Sequence, residues 1–220
     1  MASLADFMGL VGPSESRYPR LGWGEVEDAL GVVLPTDYKA WGSEYVSLHV
    51  DRFLAIDNFA TPVYFERDFS ETVASGLVSV RRSMERSGRM YLIDDQDQVV
   101  GEDLAALPVY PEPGGLLMWG SSTYTGSFMW LMDGDDPDEW PIVVTNRDSE
   151  WWQFDGGFLD FLVGVLRGDV RCPMIKPEWL KAPAIEELVG TKLFTHLGGK
   201  QSTVMDVRPT SRWVSYFETS

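Results

Sequence analysis

An acidic loop, residues 133–139, carries the densest group of side chains that could do chemistry. Its sequence is Asp133-Gly134-Asp135-Asp136-Pro137-Asp138-Glu139. A calcium-binding loop needs spaced oxygen ligands, a glycine at a sharp turn and a distant bidentate glutamate. Because Gly134 and Pro137 stand at the wrong positions for that pattern, the sequence favours a solvated hairpin loop and no metal site.

Other reactive residues do not combine into a catalytic motif. The histidines, His49 and His196, are far apart and flanked by apolar residues, and the single cysteine, Cys172, has no patterned histidine near it. Ser121 and Ser122 follow a predicted strand but lack the flanking glycine of a nucleophile elbow. One cysteine also excludes an internal disulfide and a multi-cysteine metal site. We therefore predict no enzymatic activity and no cofactor.

The chain has 220 residues, of which 44% are hydrophobic and 13% aromatic. That length suits one domain with additions, and this composition can bury a sizeable core. The N-terminus lacks a basic segment and carries Asp6 inside its apolar stretch, so it does not resemble a signal peptide. No apolar run approaches the roughly 20 residues that span a bilayer. We expect a soluble, cytoplasmic protein, and the lack of disulfides fits that compartment.

The charge is strongly negative and uneven. The formal net charge is -16, yet residues 171–220 contain seven basic and five acidic residues, so the excess lies in residues 1–170. Such a charge repels nucleic acid and anionic membrane and attracts basic proteins. An acidic surface can also serve solubility alone, and the sequence leaves both interpretations open.

Residues 110–144 are predicted to form the centre of the fold. Three short apolar runs, 116–119, 128–132 and 142–144, are separated by turns rich in Gly, Pro and Asp. This pattern is typical of consecutive antiparallel strands. Their aromatic residues are large enough to form much of the core between a sheet and its helices; they are Trp119, Phe128, Trp130 and Trp140.

Helices are predicted on both sides of that centre, because apolar residues recur three and four apart. The predicted helices cover 3–11, 23–31, 36–47, 62–87 and 158–167. Further strands are predicted at 53–56, 90–93 and 151–154, and 203–207 and 213–217 could be strands. Four arginines, Arg81, Arg82, Arg86 and Arg89, lie near the end of the longest helix. Their position suits the helix dipole, and a binding role for this basic patch is the alternative.

Three groups of residues stand in an order that resembles a known family. The first is Trp23, Glu27, Leu30-Gly31 and Leu34-Pro35-Thr36-Asp37-Tyr38. The second is a Gly-Gly-Leu-Leu strand ending in Trp119-Gly120, then Trp130, then Asp136-Pro137-Asp138-Glu139-Trp140-Pro141. The third is an aromatic strand with a Phe-Leu helix, 151–166. Together they resemble the SUKH superfamily, the Smi/Knr-like group, over residues 23–170.

The resemblance implies an α+β fold with a single central, mainly antiparallel β-sheet packed against several helices. It also implies a non-enzymatic role, since bacterial members are similar to immunity proteins that neutralise a toxin by direct binding. Fungal members are similar to regulatory scaffolds, which is the alternative. Residues 1–22 would then be an N-terminal helix and loop, and 171–220 an extension packed on or beside the domain.

The expected partner is a protein, namely a basic toxin domain that could be a nuclease, bound by a monomer or homodimer. The expected contacts are Tyr124, Asp133, Asp135, Asp136, Asp138 and Glu139 on loops of the central sheet. Trp151 or Trp152 could add an anchor, because neighbouring residues of a strand face opposite ways. One of these two tryptophans is therefore expected to be exposed or covered by the C-terminal extension, and an exposed tryptophan beside carboxylates is a typical interface hot spot.

Overall fold

A computed structural model describes residues 1–51, 53–61, 69–101, 107–122, 126–146, 150–176, 185–195 and 201–209. Within these ranges the chain forms one ten-stranded sheet and five α-helices. Strand β3 pairs with β8 in parallel, and the other neighbouring strands pair antiparallel. The predicted α+β class, with a central, mainly antiparallel sheet packed against helices, is confirmed.

The order of the elements follows the chain. The helices are α1 (Leu4–Val11), α2 (Trp23–Leu30), α3 (Thr36–Glu44), α4 (Phe69–Ser87) and α5 (Phe158–Arg167). The first five strands are β1 (Leu48–Val50), β2 (Leu54–Ile56), β3 (Tyr91–Ile93), β4 (Val99–Gly101) and β5 (Leu116–Ser122). The other five are β6 (Ser127–Leu131), β7 (Ile142–Thr145), β8 (Glu150–Phe154), β9 (Ile185–Thr195) and β10 (Gln201–Pro209). Their order across the sheet is β10-β9-β1-β2-β5-β6-β7-β8-β3-β4.

Local signals determine where several helices begin and end. Ser3 caps α1, because its hydroxyl accepts from the Asp6 N–H at 3.2 Å while the Asp6 carboxylate accepts from the Ser3 N–H at 3.0 Å. Gly31 ends α2 and Gly168 ends α5, both in the left-handed conformation that glycine adopts without strain. These three helices have the bounds that the sequence predicts to within one residue.

Helices cover both faces of the central strands. On one face, Trp119 and Phe128 contact Phe161 of α5, with ring centroids 5.9 and 6.0 Å apart. On the other face, Met118 of β5 and Val80 of α4 line the same cavity. Since successive residues of a strand face opposite ways, each of these strands contributes to two packed layers.

The side chain of Tyr38 joins α3 to the sheet and to α5. It is fully buried, and its ring lies 4.9 Å from Trp130 of β6 and 5.0 Å from Phe158 of α5. Its hydroxyl donates to the Asp57 carbonyl at 2.7 Å and accepts from the Phe59 N–H at 3.0 Å. Burial is the main reason why the pKa of Tyr38 is well above its ordinary value, so the ring stays neutral.

The structure corrects two predictions in the N-terminal third. Helix α3 was expected to reach residue 47 but ends at Glu44, because Tyr45 has extended backbone angles and its N–H donates to the Trp41 carbonyl at 2.8 Å. Leu48, which the pattern places on the helix face, starts β1 and pairs with Ile56 of β2. The sequence did not predict β1, nor β4 at the far edge of the sheet.

The C-terminal extension enlarges the sheet. Strand β9 pairs with β1, and β10 pairs with β9, so the predicted strand at 203–207 is confirmed within β10. Glu187 of β9 is buried, and its carboxylate accepts from the Ser14 hydroxyl and from the Ser16 N–H at 3.1 Å. These bonds compensate the burial of the carboxylate and tie the N-terminal loop to the extension. The predicted elements at 62–68 and 213–217 lie outside the described residues.

Replacing Tyr38 by Phe tests the importance of its hydroxyl. The ring contacts remain in Tyr38→Phe, but two hydrogen bonds in a buried site are lost. We expect the free energy of unfolding to fall by about 1–3 kcal/mol. Urea denaturation followed by far-UV circular dichroism measures this loss. Tyr91→Phe, on a partly exposed tyrosine of β3, is the control and should change stability by less than about 0.5 kcal/mol. Equal stability of Tyr38→Phe and the wild type would contradict the assignment.

Candidate functional site

The acidic loop connects β6 to β7 at one end of the sheet, and local bonds fix its path. Residues Pro137–Glu139 form a 3₁₀ turn, and the Asp136 carboxylate accepts from the Asp138 N–H at 3.0 Å. The ring of Trp140 is buried, and its Nε1–H donates to the Gly134 carbonyl at 3.2 Å. The loop is therefore held from within and by its anchor in the core.

Asp138 also caps a helix that is distant in sequence. Its carboxylate accepts from the Thr36 N–H at 2.5 Å and from the Thr36 hydroxyl. Thr36 is the first residue of α3, so a negative charge lies at the end of the helix where the dipole is positive. The sequence predicts Asp138 only as a contact for a partner, and the structure gives it this stabilising role.

Two further carboxylates, those of Asp37 and Asp160, lie next to the acidic loop, and sequence reasoning missed both. The Asp37 carboxylate, in the first turn of α3, accepts from the Leu159 N–H of α5 at 2.9 Å. Burial, together with the charges of Asp138 and Asp160, raises the pKa of Asp37 more than its hydrogen bonds lower it. We use the term acidic surface for the acidic loop together with Asp160; the carboxylate of Asp37 lies buried next to it. The signal for Asp37 was its position in the Leu-Pro-x-Asp-Tyr motif.

The carboxylates of the acidic loop are all exposed, but they differ in whether they form hydrogen bonds within the protein. They belong to Asp133, Asp135, Asp136, Asp138 and Glu139. Asp136 caps the 3₁₀ turn, and Asp138 caps the start of α3. Asp133, Asp135 and Glu139 have no side-chain hydrogen bond or ion pair within the described part of the chain. These three carboxylates can therefore meet a partner without loss of an internal bond.

Among the other predicted contacts, Trp151 and Trp152 do not join the acidic surface. Tyr124 lies outside the described residues, and its neighbours Ser122 and Gly126 lie at the opposite end of β6 from the acidic loop. Trp151 and Trp152 are each only 3% exposed.

Neither of these two tryptophans is exposed, so the expectation of an exposed ring is wrong. The expectation that the C-terminal extension covers one of them stays a prediction. Trp152 packs on Phe161 of α5, and its Nε1–H donates to the Asp95 carboxylate at 2.8 Å. Trp151 faces the other side, where it lines a cavity with α4. Because both rings are buried, neither is available as an exposed anchor.

The remaining signature residues build the fold. The Glu27 carboxylate accepts from the Leu34 N–H at 2.9 Å and from Lys39 Nζ at 2.8 Å. Partial burial raises the pKa of Glu27, but these two partners together lower it below its ordinary value. Leu34, Pro35, Trp119 and Trp130 are buried, and a Cβ on Gly120 would lie 2.8 Å from the Ala55 carbonyl of β2. The residues that carry the family resemblance therefore contribute to the packing of the fold.

The described residues contain no cluster of three or more His, Cys, Asp or Glu side chains that could hold a metal ion. Burial raises the pKa of Cys172 to about 12, so its thiol stays protonated near neutral pH. His49 lies in β1 opposite Ala55, and His196 is outside the described ranges. A helix long and apolar enough to cross a bilayer is also not found in this part of the chain.

Comparisons of this chain with protein-family models, with curated proteins and with solved structures give no match. The resemblance to the SUKH superfamily therefore rests on the motifs in the sequence and stays a prediction. The geometry of the acidic surface is the remaining basis for a functional proposal.

The two roles of Asp37, helix cap and buried charge, can be separated by substitution. The pKa of Asp37 is raised in the folded state, so the contribution of Asp37 to the stability of the wild type falls as pH rises from the unfolded value of about 3.8 through the folded value. Asp37→Asn keeps an acceptor for the Leu159 N–H but carries no charge. Its stability relative to the wild type should therefore increase between pH 3.5 and pH 7, as measured by urea denaturation.

Asp37→Ala is the matched control for that series. It also lacks the charge, but it loses the cap of α5 and should be about 1 kcal/mol less stable than Asp37→Asn at each pH. A difference between Asp37→Asn and wild type that does not change with pH would show that the charge is not penalised in the folded state.

Proposed function

We propose that this chain is a non-enzymatic protein-binding module that uses its acidic surface to bind a basic partner. The observation that supports the proposal most directly is a loop with exposed carboxylates and a fixed path. A binding loop that is already ordered loses little conformational entropy on association. Its negative field accelerates encounters with a positively charged surface.

The overall charge supports a protein as the partner. With 34 acidic and 18 basic residues, the chain repels polyanions such as nucleic acids and anionic membranes. A basic protein domain gains both long-range attraction and short-range pairs with Asp133, Asp135 and Glu139. Electrostatic complementarity of this kind contributes mainly to specificity and to the association rate.

We further propose that the partner is a toxin domain, such as a nuclease, which the chain neutralises as an immunity protein in the cytoplasm. This step rests on the resemblance to bacterial members of the SUKH superfamily. A nuclease has a basic surface for its polyanionic substrate, and rigidly held carboxylates can occupy that surface in place of the phosphates. A regulatory scaffold with several basic partners is the alternative from the same resemblance.

The test begins with co-expression of this chain and the product of the adjacent open reading frame. A stoichiometric complex with a basic domain, together with rescue of growth, is the expected result. Many substoichiometric partners without rescue would favour the scaffold. A purified cognate toxin domain that loses no activity when this chain is added would overturn the immunity proposal.

The acidic surface is tested by a triple variant of its three unengaged carboxylates, Asp133→Asn, Asp135→Asn and Glu139→Gln. Asp136 and Asp138 are left unchanged because they cap local structure. We expect the association rate with the basic partner to fall by about tenfold or more at low salt, with less change at high salt. Stopped-flow or surface plasmon resonance kinetics measure this effect.

The control triple variant removes the same charge elsewhere, through Glu15→Gln, Glu85→Gln and Asp169→Asn. These carboxylates are exposed on other elements, so this variant should bind nearly as fast as the wild type. Equal slowing of both triple variants would indicate a general effect of net charge, and the acidic loop would then be a solvated turn.

A further inference from the structure

A cavity of about 520 Å³ lies between α4 and strands β5–β8, at the end of the sheet opposite the acidic loop. Strand β6 shows the separation, because Ser127 at its start lines the cavity while Leu131 at its end leads to the acidic loop. Small-molecule sites in proteins commonly have volumes of about 300–1,000 Å³. The cavity is therefore a second candidate site, separate from the acidic surface.

The lining of the cavity is polar and basic on the side of α4. Ser79, Arg82, Ser83 and Arg86 line it and follow one another at three, one and three residues, which places them on one helix face. The strands contribute hydroxyl groups from Ser121 and Ser127. Thr145 also lines the cavity, but its hydroxyl donates to the Glu150 carbonyl at 3.0 Å. Among the described lining residues there is no aspartate or glutamate, although the chain as a whole is acidic.

The two arginines of this lining have no ion pair within the described part of the chain. Their neighbour Arg81, which does not line the cavity, pairs with Glu112. The side chains of Arg82 and Arg86 are both exposed, so their guanidinium groups are accessible to a ligand. The helix dipole accounts for Arg86, which lies in the last turn of α4, but not for Arg82 one turn earlier.

Apolar side chains line the cavity on both the α4 side and the sheet side. Trp151 is 3% exposed, and its Nε1–H has no hydrogen-bond partner among the described residues. Val80, Met84 and Met118 supply apolar contacts beside it.

We propose that this cavity binds a phosphorylated small molecule of about the size of a mononucleotide. The planar guanidinium groups of Arg82 and Arg86 match the geometry of a phosphate, which offers several acceptor oxygens. Hydroxyl donors such as Ser127 add to that match. Trp151 and the methionines would contact the part of the ligand that carries the phosphate.

Isothermal titration calorimetry of the full chain at low salt tests the proposal. The probes are AMP, ribose 5-phosphate and inorganic phosphate, with adenosine as the probe without phosphate. We expect AMP to bind at least about tenfold more tightly than adenosine, because the charge-assisted bonds need the phosphate. Binding of inorganic phosphate alone would identify the phosphate subsite, whereas failure of all three phosphorylated probes would overturn the proposal.

Two double variants locate the binding site. Arg82→Ala with Arg86→Ala should weaken AMP binding by about tenfold or more. Arg81→Ala with Arg89→Ala removes the same charge from the same region without changing the lining, and it should bind AMP like the wild type. Circular dichroism checks that both are folded. Equal weakening in both double variants, or adenosine binding as tight as AMP, would overturn the proposal.

Discussion

The ring of Tyr38 is the contact on which the relation between the sheet and its helices depends. It packs against Trp130 of the sheet and Phe158 of α5, and its hydroxyl bridges the backbone of Asp57 and Phe59. A buried hydroxyl is tolerated only where its hydrogen bonds are made, so this side chain fixes both an orientation and a register. The position of α3 then determines where Thr36 and Asp37 lie, and these two residues connect the core to the acidic surface.

Charge is separated along the strands of this sheet. One end carries the exposed carboxylates of the acidic loop, and the other carries a cavity with Arg82 and Arg86. The net charge of -16 does not give the local charge at either end of the sheet. The local electrostatic field at each site decides which ligand approaches it. The two proposals therefore concern independent surfaces: a protein partner at the acidic end and a phosphorylated small molecule at the cavity.

The residues that resemble the SUKH superfamily explain the fold better than the function. Glu27 holds the start of α3 through Leu34 and Lys39, and Trp119 is fully buried in the core. Asp138 combines both aspects, since it caps α3 while its carboxylate remains exposed. A fold can serve several functions, so the proposed binding role depends on exposed groups such as Asp133 and Asp135 and not on the fold itself.

The sequence by itself determined the elements whose signals are local. The capping residues of α1 and the apolar spacing of α5 act within a few positions, and the turns between β5, β6 and β7 follow from Gly, Pro and Asp clusters. The exposed loop at 133–139 was predictable for the same reason. Only the tertiary structure decided that α3 ends at Glu44, that α4 and Trp151 line one cavity, and that Asp138 reaches Thr36 across 102 residues. These features depend on the packing of elements that are distant along the chain, and no spacing within a short window encodes such contacts.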